Sequence, residues 1–78
     1  MITSSQIKAA RAMTGLTVRE MANKAELAFT TLVRLESAGN EIPSGNIETL
    51  KKLKNTFEAL GIEFIGAPEA GAGVRWRP

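Results

Sequence analysis

The side chains able to do chemistry in this chain form a narrow set. Its 78 residues include no His, Cys, Asp or Tyr. The commonest general base and the commonest metal ligands are therefore missing, and no disulfide can form. The eight acidic residues are all Glu, at 20, 26, 36, 41, 48, 58, 63 and 69. They are scattered, without the clustering that an acid–base pair or a cation site needs. No enzyme activity, metal or cofactor is expected. What remains is hydrogen bonding and positive charge. Thr17, Arg19, Thr30 and Arg34 all fall within Thr17–Glu36. They are donor types that bond phosphates and base edges.

The elements that must position these residues follow from caps and periodicity. Thr3 or Ser4 can cap a helix over Ser4–Thr14, with Ile7, Ala10 and either Met13 or Arg11 on its inner face. Gly15 ends it, since Gly takes the left-handed C-terminal conformation cheaply. Leu16 reads as a core plug. Thr17 and Glu20 form a T-x-x-E capping box at the start of a second helix, which stops near Lys24 or Ala25. Met21, Ala22 and Ala25 face inward. Glu26-Leu27 is a turn, and a third helix is expected from about Ala28 to Ser37. Its buried side is Leu32 and Leu35; Phe29, Thr30, Val33 and Arg34 point out. After Pro43 a fourth helix is expected from about Gly45 to Leu60, capped by Ser44, with Ile47, Leu50, Leu53, Phe57 and Leu60 in one stripe. Ile62–Ile65 and Val74–Arg77 read as strands of a small antiparallel hairpin around a Gly/Ala/Pro loop from Gly66 to Gly73. That loop is too long for a tight turn, so the register is open.

A short helix, a tight turn and a second helix make the outline of a helix-turn-helix, whose second helix is shaped for the DNA major groove. Gln6 to Leu60 resembles the phage-repressor type of this motif, the Cro/C1 or XRE family. The matching residues are Ile7, Arg11, Gly15-Leu16-Thr17, Glu20-Met21-Ala22, Leu27, Leu32 and Arg34-Leu35-Glu36, with Pro43 and Thr49-Leu50 also fitting. The end of the chain is similar to short bacterial regulators with a C-terminal hairpin. The fold class implied is mainly α: a four-helix, lambda-repressor-like domain over 1–61 with a β-hairpin extension over 62–78. Many relatives carry a fifth helix where this chain has the hairpin.

The resemblance implies a DNA-binding surface made of Thr17, Val18, Arg19, Ala28, Phe29, Thr30, Val33, Arg34, Ser44 and Asn46. The second helix offers its N-terminal N–H groups to a phosphate, with Thr17 both capping and clamping. Val18 stands where the family often has a phosphate-binding Gln. The third helix is the reading helix. Arg34 can bond guanine bidentately, grip a phosphate, or pair with a nearby Glu. Phe29 and Val33 can touch thymine methyls or bind a protein, or Phe29 can fold back over Leu32. Asn40, Ser44, Gly45 and Asn46 suit a second phosphate clamp, or plain loop and cap chemistry. Arg11 and Glu36 match a structural ion pair beneath the motif. Glu26 occupies a turn position where many relatives have Gly at positive φ, at a cost of about 1 kcal/mol.

One reading helix covers few base pairs, so a homodimer on a two-fold-symmetric site is expected. Phe57, Phe64, Ile65 and Trp76 are candidate interface residues; the alternative is that the hairpin only covers its own core. The formal charge of +2 and pI near 9.4 point only weakly to nucleic acid. The reading is a transcriptional regulator, a repressor acting by occupancy, with double-stranded DNA as its partner and no small-molecule ligand. The alternative is an antitoxin-like or phage-adaptor module that binds a partner protein. No apolar run approaches membrane-spanning length and no leader is evident, so a cytoplasmic location is expected.

Overall fold

In the computed structural model, which describes all 78 residues, Thr3 opens the first helix, α1 (Ser4–Thr14). Its hydroxyl accepts from the Gln6 N–H at 3.1 Å, and the Gln6 carboxamide accepts from the Thr3 N–H at 2.8 Å. This reciprocal box is buried, and the other free donors of the first turn are bonded too. Ser4 N–H reaches Glu41 O at 3.0 Å and Ser5 N–H reaches Gly39 O at 2.8 Å. A helix start taken out of water needs such partners, because each orphaned N–H costs free energy. The loop after the third helix therefore docks onto the start of the first.

The second helix, α2 (Val18–Lys24), begins at the Thr17–Glu20 box. It ends in a Schellman motif: Leu27 N–H bonds Ala22 O at 2.8 Å and Glu26 N–H bonds Asn23 O at 3.1 Å. The pattern requires a left-handed residue, and Glu26 supplies it at φ 57°, the only non-glycine at positive φ. Lys52 reaches over the turn, with Nζ 3.6 Å from the Glu26 carboxylate and 3.5 Å from its carbonyl. The third helix, α3 (Phe29–Leu35), is shorter at both ends than the spacing predicted. Ala28 is its N-cap and offers no side-chain acceptor. Glu36 leaves the helix, which lets its carboxylate turn toward α1.

The fourth helix, α4, spans Ile47–Ala59 rather than 45–60, and Asn46 caps it in place of Ser44. Asn46 Oδ1 accepts from the Glu48 N–H at 2.8 Å. Gly45 has φ 133°, outside the helical region, so the helix cannot begin there. Leu50, Leu53 and Phe57 are buried as their spacing requires, but Ile47 is 55% exposed and lies off the core.

Strands β1 (Ile62–Ala67) and β2 (Ala70–Trp76) pair antiparallel and extend well into the expected loop, leaving Pro68-Glu69 as the connection. Glycine makes this extension feasible. At Gly66, φ 77°, an added Cβ would lie 2.3 Å from Gly71 O, so only glycine fits the irregular register beside Ala67. Ile62 pairs with Trp76 and Phe64 with Val74, which puts these four on one face. Glu63, Ile65 and Arg75 lie on the other, where Arg75 and Glu63 form a cross-strand pair at 2.6 Å.

The core joins Ile7 and Ala10 of α1, Met21 and Ala22 of α2, Leu32 and Leu35 of α3, Leu50, Leu53 and Phe57 of α4, and Ile62 of β1. Phe57 packs edge-on against Phe64, with ring centroids 5.9 Å apart. Gln6 fastens the hairpin to α1. Its Nε2 donates to Gly73 O at 2.9 Å and to Ile65 O at 3.2 Å, one carbonyl from each strand. Gln6→Ala should therefore cost about 2 kcal/mol, since it removes the partner of the buried Thr3 N–H and of a part-buried carbonyl on each strand. Urea unfolding reads the loss, and amide exchange should show the hairpin freed before the helices.

Candidate nucleic-acid interface

The exposed side of α3 carries the candidate residues, and α1 fixes where that side faces. Ser4 Oγ donates to Leu35 O at 2.5 Å across 31 residues of sequence, at the last turn of α3. Next to it, Arg11 Nε and Nη2 donate to the two Glu36 oxygens at 2.7 and 3.1 Å, while Nη1 donates to Leu16 O at 3.1 Å. The Arg11 and Glu36 side chains are only 21% and 8% exposed. Hydrogen bonding to Glu36 raises the Arg11 pKa; burial opposes this and the charge attraction adds to it. A raised basic pKa contributes stability at all pH values below the ordinary arginine value, so the arginine's share is complete at neutral pH. The ion pair matched to Arg11 and Glu36 is thus present in the fold.

Phe29, Thr30, Val33 and Arg34 are all exposed, as their spacing required. Phe29 does not fold back over Leu32 to finish the core. It is 38% exposed, and the Arg19 guanidinium stands 4.4 Å from its ring centroid in a cation–π contact. This contact links α2 to the first residue of α3, which no spacing rule in the sequence announces. Val33, one helical turn further on, is 43% exposed.

Arg34 makes no carboxylate pair. Its Nη1 donates to Ser44 O at 2.5 Å, so the guanidinium lies against the loop before α4. A Cβ at Gly45 would come 2.9 Å from Nη1. Gly45 thus gives the arginine its seat as well as a backbone turn. Arg34, Ser44, Gly45 and Asn46 are brought together in this way. Ser44 contributes its carbonyl rather than a cap, and Asn46 contributes the cap. Asn40 is separate: its Oδ1 accepts from Ser5 Oγ at 2.9 Å, anchoring the loop to α1.

At the start of α2, Thr17 Oγ1 accepts from the Glu20 N–H at 3.1 Å and Thr17 N–H donates to Glu20 Oε1 at 2.9 Å. Both residues are exposed. Val18 is half-buried and packs on the core, so its side chain serves the fold. Ala28 is exposed at the head of α3 with only a methyl to present.

The interface residues named for a dimer separate. Phe57 is fully buried in its own chain and has no surface to give a partner. Phe64 is half-buried against it. Trp76 is 51% exposed, at the margin of the inner face, where its ring covers Gly61. Ile65, 37% exposed, lies on the opposite face. The four cannot form one flat patch, because residues opposite in register share a face and sequence neighbours do not. Gln6 and Ser4 are the positioning residues that spacing missed. Gln6 at the third helical position is a capping-box signal that points to Thr3; nothing in the sequence points to the hairpin.

No protein-family model matches this chain, and no curated protein is significantly similar to it.

Glu36→Gln should destabilise the fold by about 3 kcal/mol, because it leaves the Arg11 charge largely buried and unpaired. Arg11→Lys should not restore full stability, since a lysine cannot make the two-pronged contact. Denaturant midpoints test both. The Thr17 backbone N–H, and then its side chain, hold the Glu20 carboxyl below its ordinary pKa. A depressed carboxyl pKa contributes stability that is complete above the ordinary value and is lost as pH falls through the lower folded value. The difference in melting temperature between wild type and Glu20→Gln should therefore shrink over that acidic window and stay constant above it.

Proposed function

We propose that this chain is a small sequence-specific double-stranded DNA-binding regulator of the phage-repressor helix-turn-helix type, with α3 in the major groove. The observation that carries this reading is the outer side of α3. Phe29, Thr30, Val33 and Arg34 are all exposed on a helix pinned at its far end by Ser4 and Arg11. A rigid helix with apolar and hydrogen-bonding side chains outward suits base edges, which present methyls, donors and acceptors together. Arg19 and Arg34 supply charge at this surface, and the Ser44 hydroxyl and Asn46 amide of the loop that seats Arg34 are donor types for a neighbouring phosphate. No helix is long and apolar enough to cross a membrane.

The regulator acts as a homodimer, since two reading helices one DNA turn apart give a site of useful length. The hairpin supports this: two strands leave both edges unpaired, and Trp76 offers an exposed aromatic anchor. The occupied site blocks a promoter, which makes the protein a repressor. The competing reading is a module that binds a partner protein, favoured by the same exposed Trp76.

Selection from a randomised duplex pool, read by fluorescence anisotropy at two salt concentrations, tests the proposal. An enriched two-fold-symmetric sequence is expected. Arg34→Ala should weaken binding by about 1–3 kcal/mol per half-site if the arginine reads a guanine. If it grips a phosphate, affinity should fall for every sequence and the salt slope should drop by about one per half-site. Binding that selects no sequence and collapses with salt would overturn the regulator reading, because only the phosphate contribution would be left.

A further inference from the structure

The fourth helix leaves its apolar stripe uncovered at the first turn. Ile47 is 55% exposed, while Leu50, one turn on, is buried. Here a cleft of about 210 Å³ opens between α4 and the start of the chain, lined by Met1, Ile2, Ile47, Leu50, Lys51 and Lys54. Ile2 and Leu50 belong to the core and form its floor. Drug-sized ligands occupy pockets of about 300–1,000 Å³, so this one is sized for a single large side chain. Its rim is charged. Lys51 and Lys54 lie on the Ile47 side of α4, one helical turn apart. Lys51 pairs with no carboxylate of its own chain. Lys54 Nζ is 3.9 Å from the Glu58 carboxylate, an exposed contact of little energy that a partner's carboxylate can replace. Glu48, the other acidic residue of α4, falls about 100° round the helix from Ile47, toward Lys52. Glu41 is exposed on the loop bonded to Ser4, outside the residues that line the cleft.

We propose that this cleft docks one large apolar side chain of an acidic amphipathic helix carried by another protein. A small concave apolar site takes such an anchor, and the lysines around it choose the anchor's neighbours. Two carboxylates one turn apart on the partner helix match Lys51 and Lys54, whose own spacing is one turn. The stems of both lysines extend the apolar wall while their ammonium groups stay in water. A second copy of this chain is a poorer occupant. A two-fold axis through the cleft sets Lys51 and Lys54 against their own counterparts, and like charges across an interface oppose association. The docking surface shares no residue with the exposed side of α3 and does not rest on the DNA-binding reading.

Random helical peptides displayed on phage are selected against the full chain, and the winners are titrated as fluorescent peptides. The expected winners carry one large apolar residue with two acidic residues a turn apart beside it. Ile47→Asp should weaken them about tenfold or more. An acidic residue is favourable in the first turn of a helix, so this variant keeps α4, and its melting temperature checks that. Lys51→Glu combined with Lys54→Glu should weaken the same peptides about tenfold. In a fresh selection, that variant should turn the winners from acidic to basic. Winners without an acidic pair, or winners that bind both variants as well as wild type, would overturn the docking. Self-association that Ile47→Asp abolishes in sedimentation would overturn it too, and give the cleft to a second copy. Binding to phosphatidylglycerol vesicles that Ile47→Asp abolishes would give it to a lipid surface instead. A selection that enriches no peptide would leave the cleft without the partner claimed for it and overturn the docking as well.

Discussion

The orientation of α3 depends on two polar contacts at its C-terminal end, the Ser4 hydroxyl on the Leu35 carbonyl and the Arg11 guanidinium on the Glu36 carboxylate. Both donors belong to α1, and both acceptors are at the point where α3 stops. Apolar packing of Leu32 and Leu35 says that the helix must lie on the core, but packing alone is non-directional. The two contacts add direction. They fix how far α3 has turned about its axis and therefore which residues face outward. The loop from Gly39 to Glu41 then closes on the N-terminus of α1, so the same helix holds both the end of α3 and the chain that follows it.

The other end of α3 is held differently. There is no side-chain cap at Ala28. Instead the Schellman turn sets the angle from α2, with Glu26 accepting a left-handed conformation that Lys52 helps to pin. The Arg19–Phe29 stack crosses the same junction on the outside. Arg34 crosses the next one, reaching the loop before α4. Arg19, Phe29 and Arg34, proposed to meet DNA, are in this way also side chains that join neighbouring elements. A substitution among them can alter the shape of the surface as well as its chemistry, which is why changes made in the DNA separate the roles more cleanly than changes made in the protein.

The hairpin is a separate problem in the same fold. Its inner face covers Phe57 and its backbone is bonded to Gln6, so it belongs to the same core as the helices. That use of Phe57 and Phe64 leaves Trp76 as the exposed aromatic of the hairpin. Ile65 is turned the other way by the period of the strand.

Much of this was legible in the residues themselves. The Thr17–Glu20 box, the Gly15 stop, the inward spacing of Ile7, Ala10, Met21, Leu32 and Leu35 and the outward set on α3 all follow from local rules that act within one or two turns. The four helices follow from them, and the hairpin from the β-rich runs Ile62–Ile65 and Val74–Arg77. The ion pair and the positive φ of Glu26 came through family resemblance, not spacing. Tertiary structure alone decided what long-range contacts decide. It moved the start of α4 from Gly45 to Ile47, because Gly45 turns the chain at φ 133° and Asn46 supplies the cap. It carried the strands through Gly66, where a close backbone approach excludes any side chain. It gave Gln6 to the hairpin and Arg19 to Phe29, and it buried Phe57. Each of these joins groups on different elements, and a sequence read one element at a time cannot place both partners.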